Sequence, residues 1–159
     1  MQPRIETLKE KKLVGVKMKM SLAEDGTFAL WQSFMPRLKE IADRTSDDKF
    51  SMQIYEDAAA LGDFRREFEK WAAVEVEDFA EVTGDLETFV LRGGLYAVFD
   101  YKGEGADGHI FKYIFTEWLP ASRYALDDRP HFEILGEKYK NGDPNSEEQI
   151  WIPIKAKQS

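Results

Sequence analysis

The sequence predicts an α+β domain of duplicated strand-helix-strand-strand units, forming an antiparallel sheet with helices on one face and a pseudo-twofold cleft on the other. The first observation behind this is a set of four landmarks that recur in one order. Leu13-Val14-Gly15-Val16 resembles Leu95-Tyr96-Ala97-Val98, and at the same offset of 82 Asp25-Gly26 falls on Asp107-Gly108. At an offset of 80, Met52-Gln53-Ile54-Tyr55 falls on Phe132-Glu133-Ile134-Leu135, and Trp71-Ala72-Ala73-Val74 falls on Trp151-Ile152-Pro153-Ile154. Ordered self-similarity is the mark of a repeated supersecondary unit. The second observation is that apolar spacing switches within each half, from the two-residue period of strands to the three- and four-residue steps of a helix.

Each half opens on an extended, β-rich segment, residues 4 to 21 and 86 to 102. A helix follows. In the first half Phe28, Trp31, Met35, Leu38 and Ala42 keep helical spacing after the start signal Asp25-Gly26-Thr27, with Pro36 as a kink position. In the second half Ile110, Tyr113, Ile114, Glu117 and Trp118 keep the same spacing until Leu119-Pro120 breaks the helix. Two strands complete each unit, about 50 to 56 with 70 to 79 and about 131 to 137 with 147 to 156. Residues 57 to 69 read equally as a short helix or a loop lid, since Phe64 and Phe68 sit four apart. Asn141-Gly142-Asp143-Pro144 is a turn joining antiparallel strands. Residues 80 to 86 connect the halves, about 4 to 79 and 86 to 156, of one domain spanning 1 to 159.

Composition narrows the function. The chain has no cysteine, which excludes a disulfide scaffold and thiolate metal sites and fits a reducing compartment, so a cytoplasmic location is expected. No stretch has the length and apolarity of a signal peptide or a membrane span, and no membrane association is expected. A formal charge of -8 opposes phosphate backbones and anionic lipid surfaces. A neutral or cationic small organic ligand is the more natural partner. His109 and His131 lack metal-ligand spacing, and neither a metal nor any other cofactor is expected. There is no Gly-x-Ser-x-Gly elbow and no phosphate loop; Gly103-Glu104-Gly105 carries an acid where a phosphate would sit and reads as a hinge.

Side-chain alternation places Met52, Ile54, Ala72, Val74, Val76, Phe132, Ile134, Ile150, Ile152 and Ile154 on one face, to be covered by the helices. Gln53, Tyr55, Trp71, His131, Glu133, Leu135 and Trp151 then share the other. Indoles, a phenol and a carboxylate on one surface suit an organic cation or heteroaromatic, held by charge and by ring quadrupoles. The competing reading makes Trp71 and Trp151 edge-of-core residues, Glu133 a solvated strand carboxylate, and Tyr55 and Tyr96 packing residues.

Three separated motifs carry a family resemblance: Leu91-Arg92-Gly93-Gly94-Leu95-Tyr96-Ala97-Val98-Phe99, Glu117-Trp118-Leu119-Pro120-Ala121-Ser122 and Arg129-Pro130-His131-Phe132-Glu133-Ile134-Leu135. Together with Lys70-Trp71-Ala72-Ala73-Val74-Glu75-Val76 and the final strand around Trp151, they resemble the GyrI-like family over essentially the whole chain. The resemblance implies an effector-binding domain of the kind found in AraC-type and MerR-type multidrug regulators, where a glutamate among aromatics reads organic cations. Glu133 matches that glutamate, and Leu135 stands where relatives often carry tyrosine. The implied ligand-binding set is Glu133, Trp71, Trp151, Tyr55, Tyr96, Trp118, His131 and Leu135. The domain fills residues 4 to 156, so no helix-turn-helix and no direct DNA binding are expected. Two other activities occur among similar proteins: hydrolysis of strained cyclopropanoid electrophiles, for which Glu133 and Tyr55 would be the catalytic pair, and inhibition of DNA gyrase through a protein interface.

Overall fold

The computed structural model describes residues 2–57, 61, 63–103, 108–140 and 143–158. Its strands are β1 (Arg4–Leu8), β2 (Lys11–Met20), β3 (Lys49–Ile54), β4 (Phe68–Val76), β5 (Glu87–Leu91), β6 (Gly94–Lys102), β7 (Tyr124–Leu126), β8 (His131–Leu135) and β9 (Glu147–Ala156). All pair antiparallel, in the order β1-β6-β9-β8-β3-β4-β2-β5, with the short β7 added to β9. The arrangement is α+β, with the helices on one face. Within the order, β2-β4-β3 and β6-β9-β8 repeat one connection pattern and meet where β3 pairs β8.

Each extended opening segment is two strands rather than one. β1 leaves its own half to pair with β6, and β5 leaves its half to pair with β2. One ladder ends at Leu8↔Gly94 and the other begins at Lys11↔Leu91. The two ends of the strand order are therefore joined through two short covalent links, and the sheet curls round on itself. Curling buries its inner face without any helix: Leu8, Leu13, Phe50, Met52, Trp71, Leu91, Tyr96, Val98, Phe132 and Trp151 form one packed core there. Such burial removes large apolar area from water at about 25 cal/mol per Å².

The helices cover the outer face. Helix α1 (Thr27–Phe34) packs on β2 and β4 and continues as a 3-10 segment, Met35–Glu40, with Pro36 at its start. The sheet-facing side chains of α1 are Leu30 and Phe34, while Phe28 is 73% exposed and Met35 44%. The helical spacing was real, but its phase differs from the one read from Phe28 and Met35. Helix α2 (Gly108–Tyr113) runs on through a π-helical turn, Ile114–Trp118, into α3 (Leu119–Ala121), and Ile110 and Ile114 pack on Ala97, Phe99 and the isoleucines of β9. Pro120 does not break the helix at Leu119; the widened turn precedes it, and the helix ends at Ala121. Phe64 lies in a turn, and residues 58–60 and 62 of the charged insertion fall outside the described residues, as do Asn141-Gly142 and Glu104–Asp107. Among the described residues no helix is long and apolar enough to cross a membrane.

Strand register corrects the facial assignment. Met52 pairs with Trp71 and Phe132 with Trp151, so these four share the inner face. Ser51 pairs with both Ala72 and Glu133, Gln53 with both Lys70 and His131, and Glu133 with Ile150, so these lie on the outer, helix-bearing face. Ala72, Val74, Val76, Ile150, Ile152 and Ile154 do face the helices. The central strands β3 and β8 are the ones in opposite phase. A one-residue difference in register exchanges every side chain between faces, and apolar alternation within a strand cannot supply it.

A buried clamp holds the entry to β8. Arg129, 9% exposed, donates to the Leu95 carbonyl oxygen at 2.6 Å and the Ile154 carbonyl oxygen at 3.1 Å, pairs with Asp127 at 2.7 Å, and lies 4.7 Å over the Tyr96 ring. The Tyr96 hydroxyl donates to the Pro130 carbonyl oxygen at 2.8 Å. Gly94, at φ +146°, leaves room for the guanidinium, since a Cβ there would stand 2.5 Å from Arg129 Nη1. We expect Gly94→Ala to cost about 1 to 3 kcal/mol, from backbone strain plus displacement of Arg129; an unchanged urea unfolding midpoint would mean that the clamp does not contribute to stability.

Candidate functional site

The two helices sit over separate halves of the sheet, α1 on β2 and β4 and α2 on β6 and β9. The outer face of β3 and β8 lies between them. Alternation on these two strands directs Ser51, Gln53, His131, Glu133 and Leu135 outward into this strip, and Tyr55 extends it one residue beyond β3. Phe68 and Phe115 supply side walls: the Tyr55 ring lies 5.3 Å from Phe68 and 5.0 Å, edge-on, from His131, while Phe115 lies 6.1 Å from His131. Tyr55, Glu133 and Leu135 are half-buried, which leaves the strip open to solvent between the helices.

Burial sets the protonation states. His131 is 7% exposed, and loss of water pushes its imidazole down to about 3, so it is neutral at physiological pH. The Tyr55 phenol is pushed up to about 12, first by burial and then by the negative charge of Glu133. Tyr139 is raised for the same first reason, with Glu148 and Glu133 adding to it. The carboxylate of Glu133 thus acts on the groups around it. A separate cavity of about 520 Å³, lined by none of these side chains, has Asp48, Tyr101, Ile134, Gly136 and Glu148 among its walls.

Composition and spacing do not single out Lys70, which the structure brings to the same strip. It occupies the helix-facing row Phe68, Lys70, Ala72, Val74, Val76, where a lysine amid apolar residues is the one signal available. It is 6% exposed, and burial lowers its pKa, opposed by the charges of Glu133, Asp25 and Glu148. The Gln53 amide is oriented with its nitrogen donating to the His131 carbonyl oxygen at 3.1 Å and its oxygen accepting from the Lys70 ammonium. That oxygen stands 3.5 Å from Glu133 Oε1, an acceptor facing an acceptor, so Gln53 makes no hydrogen bond to the carboxylate.

Of the predicted site residues, the structure brings Tyr55, His131, Glu133 and Leu135 to this strip and places the others elsewhere. Trp71, 2% exposed, packs 5.4 Å from Phe89 with its indole N–H donating to Glu69 at 2.7 Å. Trp151 stacks on Phe132 at 5.2 Å and donates to Gln149 at 3.1 Å. Tyr96 lies in the same inner core, so all three are on the far side of the sheet from Glu133. Their indoles read as outward-facing because the sheet's curl, which buries them, is not a property of any one strand. Trp118 packs at 5.3 Å on Phe99 and lines a separate cavity of about 360 Å³ with Gln2, Pro3, Ile5, Arg123 and Tyr124. Among the described residues no cluster of three or more His, Asp or Glu could hold a metal ion.

A curled antiparallel sheet carrying two helices on one face, with carboxylate, phenol and imidazole side chains gathered between them, is an α+β domain of repeated connectivity. The chain belongs to the GyrI-like family: the GyrI-like small molecule binding domain matches residues 1–155. No match was found among curated proteins. Solved structures share the fold at low identity. SAV2435 bound to tetraphenylphosphonium superposes with a TM-score of 0.69 at 18% identity, covering 98% of this chain and 94% of that one. EcmrR, in a complex with DNA, gives 0.70 at 14% identity, covering 98% of this chain and 58% of that one. A hydrolase from Listeria innocua gives 0.59 at 12% identity, covering 97% and 92%.

A neutral buried His131 has a pH consequence. Its folded pKa of about 3 lies below its unfolded value of about 6.5, so the unfolded chain binds the extra proton. The stability tied to the neutral ring is fully present above about pH 6.5 and is lost as pH falls toward 3. We expect His131→Gln to flatten the fall in unfolding free energy between pH 6.5 and 4, measured by denaturant titration at each pH; parallel curves for both proteins would refute the neutral-imidazole assignment.

Proposed function

We propose that the chain binds a small organic ligand, aromatic and cationic or heteroaromatic in character, in the strip between the two helices, with Glu133 as its anionic contact. The observation that carries this is a half-buried carboxylate, lacking an ion-pair partner among the described residues, beside the rings of Tyr55 and His131. A carboxylate drawn from water is costly unless compensated. An organic cation compensates it, and the faces or edges of the neighbouring rings accept the ligand's apolar body, with a desolvated cation-π contact worth about 2 kcal/mol. The strip straddles the β3-β8 midline, where the two repeated connection patterns meet, so the proposed cleft is pseudo-twofold in placement and lies on the helix-bearing face. Family membership and the tetraphenylphosphonium held by SAV2435 support this reading.

Glu133→Gln keeps shape and removes charge. It is expected to weaken tetraphenylphosphonium binding at least tenfold, about 1.4 kcal/mol, by isothermal titration calorimetry. Equal affinity in both proteins would remove Glu133 as the charge contact.

Hydrolysis is a second reading, favoured by the shared fold with the Listeria innocua hydrolase and by the placement of Tyr55 next to Glu133. In it Glu133 takes a proton from water as the oxygen adds to a strained ring carbon, and the breaking carbon–carbon bond collects a proton. Tyr55 remains a phenol at working pH, so its role there is hydrogen-bond donation rather than proton abstraction. Mass spectrometry of compounds recovered after incubation distinguishes the readings: intact compounds support binding alone, and a product heavier by one water supports the hydrolase.

A further inference from the structure

We propose that Lys70 is a ligand-contacting residue of the same strip, and that the preferred ligands carry an anionic or strongly accepting oxygen group beside an aromatic, cationic body. The inference rests on the binding role proposed above and specifies its ligand class.

Lys70 is unusual for its position. It stands in the helix-facing row of β4 between Phe68 and Ala72, both part of the apolar packing under α1, yet it carries an ammonium and is 6% exposed. Lysine is almost never this buried unless paired. Its pairing here is incomplete. One of its three N–H donors meets the Gln53 amide oxygen, and among the described residues no carboxylate stands within ion-pairing distance. Glu133, Asp25 and Glu148 act on it through space, from β8, from the β2-α1 loop and from β9 respectively. The ammonium therefore borders the strip from β4, opposite Gln53, with donors left over.

The chemistry of such a site is that of an ampholyte receptor. A simple cation approaching Glu133 meets Lys70 as a like charge in a poorly screened setting, where charge interactions are several times stronger than in water. A ligand with a carboxylate, or a comparably strong oxygen acceptor, near its cationic or aromatic body satisfies both groups at once. It supplies the acceptor that Lys70 lacks and the cation that Glu133 lacks, and burial strengthens both charge-assisted bonds. Gln53 accepts from Lys70 through the same oxygen that faces Glu133 at 3.5 Å, so the amide offers the carboxylate no donor and leaves it to a ligand's cationic group.

Two probes test this: tetraphenylphosphonium, and the same cation with one para-carboxylate. Binding of each is measured by isothermal titration calorimetry to the wild-type chain, Lys70→Met, Lys70→Gln and Glu133→Gln. The wild type is expected to bind the carboxylated probe at least tenfold more tightly than the parent. Either Lys70 variant is expected to erase that preference, by weakening the carboxylated probe and strengthening the parent. The wild-type ratio requires no variant to fold, so it stands by itself. A ratio of one, or a preference for the parent cation, overturns the Lys70 inference, and loss of parent binding in Glu133→Gln would then still sustain the cation-binding reading. A wild-type preference that survives in both Lys70 variants also overturns it. Absence of binding of both probes to the wild type overturns both readings together.

Discussion

At the midline of the sheet, β3 and β8 run antiparallel with Ser51 opposite Glu133, and the placement of every polar group in the proposed site depends on that register. It turns Met52 and Phe132 inward to the aromatic core and turns Gln53, His131 and Glu133 outward between the helices. Because the strands carry apolar and polar residues in strict alternation, a slip of one residue would bury the carboxylate in the core and expose two large apolar side chains. Hydrophobic burial on the inner face thereby fixes the geometry of the outer one.

The inner face in turn depends on the exchange of β1 and β5 between the two halves. Each crossing strand closes the sheet at one end, which is how an antiparallel sheet with helices on its outer face alone acquires a second, dry interior. Trp71, Trp151 and Tyr96 fill that interior, and each finds a hydrogen-bond acceptor for its one polar atom. Arg129 ties β6, β9 and the entry to β8 together. The residues immediately after it, Pro130 and His131, lead into the site, so the strand bearing Glu133 hangs from a rigid support.

Electrostatically the strip is mixed, unlike the acidic chain around it. His131 is held neutral and Tyr55 protonated, while burial lowers the pKa of Lys70 against the opposing charges of Glu133, Asp25 and Glu148. Among the described residues Lys70 and Glu133 act on one another without forming an ion pair of the kind that joins Arg37 to Glu40. A separated pair of opposite charges in a half-buried setting is a state that a ligand of matching polarity relieves.

Much of the fold was legible from spacing alone. The recurrence of Asp-Gly before each helix, the paired Trp-centred strands and the GyrI-like motifs around Gly93-Gly94 and Phe132-Glu133 determine the elements, their order and the family. Glu133, His131 and Tyr55 were readable as candidates because a carboxylate and rings in apolar strands are chemically conspicuous. The break inside each opening segment, at Lys9-Glu10 and at Arg92-Gly93, was not readable as an exchange of strands, since pairing partners lie some 80 residues away in sequence. Nor was the face on which β3 and β8 present their polar residues. Alternation along a strand says which residues travel together, a local property of extended backbone. Which side they travel to, and hence that Trp71 and Trp151 lie in the core while Lys70 joins Glu133, is decided by register between strands and by the curl of the whole sheet, and these exist only in the tertiary structure.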